Sequence, residues 1–154
     1  MKEQQEFHKI LNKLTKQRLT ISEAYKKAAH LAQSDELEDY FEKRSDTSRK
    51  MAEDLIKLIY EMGGKYDEEK NATDENTEVG DGSIILSGNK DLSDQDLLNE
   101  TIRLHKKIVG LYEKLLTDHY DIPNDKAQVL KDQLAHTEKV IAEVQFVGDV
   151  GTVD

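Results

Sequence analysis

The sequence predicts an all-α fold, a bundle of four helices with one long connection in its middle. Three observations lead there. Apolar residues recur in alternating steps of three and four along four separate segments, the spacing that marks one helix face. Stop and start signals stand between the segments: Ser34, Gly63-Gly64, Ser93 and Pro123. Charged residues make up 35% and the hydrophobic set 36%, so apolar side chains have to be used economically. An amphipathic helix needs only one apolar stripe, and a single proline with no tryptophan suits the same reading.

The first helix is expected over about 4–32, where Phe7, Leu11, Leu14, Arg18, Ile21, Tyr25, Ala28 and Ala32 share a face. Ser34 is a natural N-cap for a second helix over about 35–62, with Asp35 and Glu36 in its first turn, where the helix dipole favours acids. Its stripe reads Leu37, Phe41, Arg44, Ser48, Met51, Leu55, Leu58 and Met62, and Gly63-Gly64 stops it. A third helix over about 93–118 opens at Ser93 and carries Leu97, Thr101, Leu104, Ile108, Leu111 and Leu115. After the break at Asp118–Pro123, a fourth helix over about 125–146 shows Leu130, Leu134, Thr137, Ile141 and Val144. Residues 1–147 form one domain on this reading, and 148–154, with Gly148 and Gly151, read as a flexible tail.

The turn between the first two helices is two or three residues, which makes them antiparallel; about six residues do the same for helices three and four. The connection over 63–92 is far longer. At about 3.3 Å per extended residue it spans a helix of roughly 40 Å with ease. One long crossover between helices two and three is the arrangement of ferritin-like bundles, whereas up-down-up-down bundles need only short loops. From Lys65 to Glu100 there are three basic residues against eleven acidic, so most of the chain's net charge of −10 lies here. Lys65 to Asp81 reads as solvated. Ser83-Ile-Ile-Leu-Ser87 reads as an apolar clip against the bundle, with a partner-binding strand as the alternative.

Composition excludes several function classes. A charge of −10 disfavours nucleic acid and anionic membranes, both of which require clustered Lys and Arg. No cysteine means no disulfide, no thiolate nucleophile and no Cys-based metal site. The first residues have no apolar run of the signal-peptide kind, and no stretch approaches the roughly 18–20 apolar residues that span a bilayer. The expectation is a cytoplasmic protein. Gly80-Asp-Gly82 lacks the lysine and the strand-to-helix context of a phosphate loop, and Asn71-Ala-Thr is a chance sequon.

The run Leu11, Tyr25, Ala28-Ala29, Leu37, Phe41, Leu55 and Gly63-Gly64, followed by the acidic crossover, Glu100 and Tyr112, resembles an uncharacterised bacterial family. That family consists of ferritin-like four-helix bundles and is known only as a domain of unknown function. The resemblance implies the bundle with its crossover, and it raises the question of a di-metal centre. Such a centre needs a Glu from each of two helices and a Glu-x-x-His pair from each of the other two, all facing inward. No Glu-x-x-His occurs in this chain. Helix two offers Ser48 and Met51 at that spacing, helix four offers Glu138 and Ile141, and helix one places the cation Arg18 at mid-seam. Glu100 and His105, five apart on helix three, share a face poorly.

What stands at the centre instead is polar: Arg18, Ser48, Thr101, His105, His136 and Thr137. The simplest role for these six is a hydrogen-bonded layer that fixes helix register. Arg18 buried without a partner would cost several kcal/mol, so a carboxylate (Glu100, Asp132 or Glu138) or water is expected beside it. Two alternatives attach to the same residues: a small-ligand site in the layer, or a metal held by Glu100, His105, His136 and Glu138. His8, His30 and His119 read as surface or capping residues, and Tyr25 and Tyr112 as core residues with hydrogen-bonded hydroxyls. The function expected is a non-catalytic structural or protein-interaction bundle without a cofactor, for which the resemblance allows a stress-related role. Its partner is expected to be a second copy or another protein. A ferritin-like iron or zinc protein, an oxidase or a store with non-standard ligands, is the alternative.

Overall fold

A computed structural model of the chain describes residues 2–66, 83–88, 91–117 and 119–153, excepting the side chains of residues 2 and 145–153. Four helices make up the described regular structure: α1 (Lys2–Leu31), α2 (Asp35–Glu61), α3 (Asp94–Leu115) and α4 (Asn124–Val153). No described helix is long and apolar enough to cross a membrane.

Each boundary has a local cause. Ser34 caps α2 by accepting from the Leu37 amide. Two further amides of this turn, those of Gln33 and Ser34, donate to the Asp94 carboxylate at 2.8 and 3.2 Å, so the first turn of α3 also secures the α1–α2 corner. At the far end of α2, Gly63 adopts φ +83°, with its amide on the Tyr60 carbonyl and the Gly64 amide on the Ile59 carbonyl. That pair of bonds is the Schellman arrangement, which requires a left-handed residue and so favours glycine. Ser93 and Asp96 form a reciprocal capping box at the start of α3. The helix α4 runs to Val153, through the stretch expected to be a tail. Gly148 and Gly151 weaken a helix by about 1 kcal/mol each, but propagation from an established helix is far easier than nucleation.

Side-chain pairs set the helix directions. Ser22 with Ser45, and Ser48 with the Arg18 carbonyl, make α1 and α2 antiparallel. Arg18 with Tyr112, Tyr25 with His105, and Gln33 with Asp94 do the same for α1 and α3. Met51 with Gln133 and Glu61 with Lys126 oppose α2 to α4. It follows that α2 and α3 run parallel, and that α3 begins at the end opposite to where α2 stops. Their connection has to cover about 40 Å, the rise of 27 residues at about 1.5 Å each. Residues 67–82 and 89–90 of it lie outside the described residues. Of the remainder, Tyr66 is buried and Ser83–Ser87 makes one helical turn, closed by the Ser87 amide on the Ser83 carbonyl. Ile85 is buried there, Leu86 half-buried, and Ile84 exposed. The Ile84 amide donates to Glu100 Oε2 at 2.9 Å, which fastens this turn to α3.

One apolar cluster runs through the bundle, from Phe7, Leu11 and Leu14 through Phe41, Leu55, Leu97 and Leu104 to Leu130 and Val144. The expected stripes of α1 and α3 are its walls. On α2, Leu37, Arg44 and Met62 are only half-buried, and Ser45, Ala52 and Ile59 face inward as well. On α4 the stripe is rotated: Gln133 and Val140 are buried, while Leu134 and Ile141 are half-buried. Leu130, Gln133, Thr137, Val140 and Val144 keep the helical spacing, so the inward face is simply one position away from the most apolar choice.

Truncating Leu55 to Ala should cost about 2–5 kcal/mol, and Glu53→Ala less than about 0.5, in urea denaturation. Two glycines should respond with opposite sign. A Cβ at Gly110, mid-α3, meets nothing within 4 Å, so Gly110→Ala should stabilise by about 1 kcal/mol. A Cβ at Gly64 would stand 2.4 Å from His8 Nδ1, so Gly64→Ala should destabilise. Equal effects at both would refute the packing described.

Candidate functional site: a polar layer across the bundle

Arg18 is the largest side chain in the fully buried set, at 1% exposure. It sits mid-way along α1 because the apolar stripe passes through that position and the helix has no freedom to turn it outward. Its Nε donates to the Tyr112 hydroxyl at 2.9 Å, and Nη2 donates to Thr137 Oγ1. Its guanidinium also lies 5.5 Å from the centre of the Tyr112 ring. Both hydroxyls in turn donate a hydrogen bond to Gln133. Tyr112 donates to Oε1 at 2.8 Å and Thr137 to the backbone carbonyl at 2.7 Å. Gln133 Nε2 completes the circuit on the Met51 carbonyl at 3.1 Å, and Ser48 donates to the Arg18 carbonyl at 3.0 Å. All four helices therefore contribute to one directed network, in which the Tyr112 and Thr137 hydroxyls each serve once as donor and once as acceptor.

The carboxylate expected beside Arg18 is not there. Among the described residues none pairs with it. Glu100 is turned to the Ile84 amide and Arg103, Asp132 accepts from Gln128, and Glu138 is exposed. The reason is rotational: each of these acids lies on a flank of its helix rather than on the inward seam. The buried cation is held by neutral oxygens and a ring face instead, which spares the layer the desolvation of a second charge.

Two turns along α1 lies a second polar group. His105 Nδ1 is 2.8 Å from the Thr101 carbonyl, so this nitrogen carries the hydrogen and Nε2 presents a lone pair. The Tyr25 hydroxyl faces that lone pair at 3.4 Å, and the two rings meet edge to face. Thr101 Oγ1 turns back to the Leu98 carbonyl. Burial, reinforced by the positive charge of Arg18, lowers the His105 pKa to about 3 and keeps the ring neutral. Burial likewise raises the phenols of Tyr25 and Tyr112, against the opposing pull of Arg18. Between the two groups, Ser22 and Ser45 each donate to the other's backbone carbonyl at 2.8 Å, clasping α1 to α2.

His136, expected in the layer, is outside it. It is half-buried beside Arg44 at 3.4 Å, and burial and that cation lower its pKa. Arg44 itself spans to Glu143 at 3.1 Å and lies over the Tyr40 ring. The rotation of α4 that brings Gln133 and Thr137 inward is what carries His136 to the flank. Gln133 is the layer residue that sequence reasoning missed; its spacing of four from Thr137 on the inward face was the available signal.

The donor set does not fit a di-metal centre. At mid-bundle the helices present a guanidinium, a phenol, an amide and two aliphatic hydroxyls, where a ferritin-like centre needs carboxylates and imidazoles. Glu100, His105, His136 and Glu138 do not converge, and among the described residues no three His, Cys, Asp or Glu side chains are grouped for a metal. A cavity of about 540 Å³ lies elsewhere, where α2 begins, lined by Leu37, Tyr40, Leu98 and Val144 with Ser34, Glu36 and Glu143. Comparison with known proteins finds no family model that matches this chain and no curated protein that matches it.

Stability should depend on pH through His105. Its folded pKa of about 3 lies below the unfolded value near 6.5, so between these limits the unfolded chain binds the extra proton. The contribution is fully present above pH 6.5 and is lost as pH falls towards 3, by about 1.4 kcal/mol per unit. Denaturant titrations between pH 4 and 7 should show that slope in the wild type and a flatter one in His105→Gln. Parallel slopes would mean that the ring is not held neutral.

Proposed function

We propose that this chain is a non-catalytic, ferritin-like four-helix bundle that serves a structural or protein-interaction role, with a register-fixing layer in the place of a metal centre. The observation that carries the reading is the identity of the groups at mid-bundle. Arg18 occupies the place of a bridging carboxylate, and its partners Tyr112 and Thr137 are locked to Gln133 rather than poised towards an open space. Hydroxyls already committed as donor and acceptor are poor acid–base groups, and a fixed cation repels metal ions. The parallel direction of α2 and α3, with α2 ending where α4 begins, supports the ferritin-like topology.

Such a layer has a specific use. Apolar stripes of Leu, Ile and Ala tolerate sliding by a helical turn, whereas a buried hydrogen-bond circuit is satisfied in one register only. The proposed partner is a second copy or another protein, approached by the outer helix faces, while the interior holds the shape that presents them. A cytoplasmic, stress-related setting fits the resemblance noted above.

The test is metal loading. Purified protein exposed to ferrous iron and oxygen should oxidise it no faster than buffer, and elemental analysis should find well under one iron or zinc per chain. A stoichiometric pair of metal ions between the helices, or catalysed iron oxidation, would overturn the proposal.

A further inference from the structure

On the outer face of the α1–α2 pair is a groove of about 380 Å³, away from the polar layer. Among the described residues that line it, Lys16, Lys26 and Arg49 are cations and Glu23 is an acid, a distinctive balance in an acidic protein. The antiparallel register fixed by Ser22 with Ser45 and by Arg18 with Ser48 sets Arg49 on α2 close to the level of Lys16 on α1. Lys26 stands about 15 Å further along α1, ten residues at about 1.5 Å each, with Glu23 one turn before it. The groove therefore has two unlike ends. One combines Lys16 and Arg49 and is cationic; the other combines Lys26 and Glu23 and is locally neutral. Between them the wall is Leu19, the buried Tyr66 and the Ser22–Ser45 clasp.

We infer that this groove binds a small phosphate monoester, with the phosphate held between Lys16 and Arg49 and its organic body laid along Leu19 and Tyr66. The chemistry follows from the lining. A guanidinium and an ammonium that line one groove from two helices at nearly the same level suit a dianionic oxyanion, with the arginine offering a planar pair of donors and the lysine a point charge. Among the described residues Arg49 pairs with the exposed Asp46, at 3.1 Å, a surface contact of small worth that a phosphate displaces readily. The volume lies within the usual range of small-molecule sites, roughly 300–1,000 Å³, and the mostly polar lining suits a charged ligand with a small organic body. Inorganic phosphate should occupy the cationic end alone and bind more weakly than an ester with a flat body.

Phenyl phosphate is the probe, read by isothermal titration and by thermal melting against sodium chloride of equal ionic strength. Wild type should bind it at least several-fold tighter than inorganic phosphate, and saturation at about 100 times Kd should raise Tm by about 5–10 °C. The double variant Lys16→Gln/Arg49→Gln should lose binding by an order of magnitude while keeping its own melting transition, because Arg49 is exposed and Lys16 only half-buried. Lys26→Gln should change affinity less than twofold. Vesicles containing phosphatidic acid separate the two sources of the same monoester. Binding to phenyl phosphate without sedimentation assigns a soluble ligand, and sedimentation that the double variant abolishes assigns a lipid headgroup. No shift beyond the chloride control, or an equal shift in the double variant, would overturn the inference.

Discussion

Everything at the centre of this bundle is arranged around one difficulty, a guanidinium that cannot leave the interior. Position 18 lies on the inward line of α1 between Leu14 and Ile21, so solvating the charge would mean rotating the whole helix and exposing Leu11, Leu14 and Ile21. Fully burying each such side chain is worth about 1.5–3 kcal/mol, a sum that offsets the several kcal/mol of hydrating one arginine once partners inside reduce that cost. The charge stays, and α3 and α4 bring oxygens to it. Tyr112 and Thr137 supply them, Gln133 orients both, and the Met51 carbonyl anchors Gln133 to α2. A half-made version of this circuit would leave buried donors without acceptors, at about 1–3 kcal/mol for each group. Register is thereby an all-or-none property of the layer.

The same constraint reaches outward. With Arg18 opposite Tyr112, Tyr25 falls opposite His105 and Gln33 opposite Asp94, each step seven or eight residues further along α1. The corner between α1 and α2 is thus closed by Asp94, a side chain of α3. Glu100, freed from any duty towards Arg18, fastens the Ile84 turn instead. The positive charge also acts through space, helping to hold His105 neutral so that its lone pair faces Tyr25.

Much of this was legible in the residues. The stripes of α1 and α3, the Ser34 and Ser93 caps, the Gly63 stop and the anchoring of Ile85 all follow from local rules that act within one or two turns. Arg18, Ser48, Thr101, His105 and Thr137 were identifiable as interior polar positions because polar side chains interrupted an apolar period. Two things were not legible, for related physical reasons. Helix α4 carries apolar residues on more than one side, so Leu134 and Ile141 competed with Gln133 and Val140 for the inward face, and the choice fell to partners on other helices. The partner of Arg18 was sought among acids because a lone buried charge is costly. What answers the cost is a ring face and two oriented hydroxyls, an arrangement assembled from three helices that no single segment displays.

The central claim is that Arg18 is buried, charged and held by neutral partners. Hydrogen exchange of arginine side chains, followed by nitrogen-15 NMR on uniformly labelled protein, addresses it most directly. The account predicts that the Arg18 Nε–H exchanges only through global unfolding, with protection matching core amides such as that of Leu55, while Arg49 exchanges freely. A signal for Arg18 that exchanges as fast as that of Arg49 would contradict it, because the guanidinium would then be in water and the layer unmade.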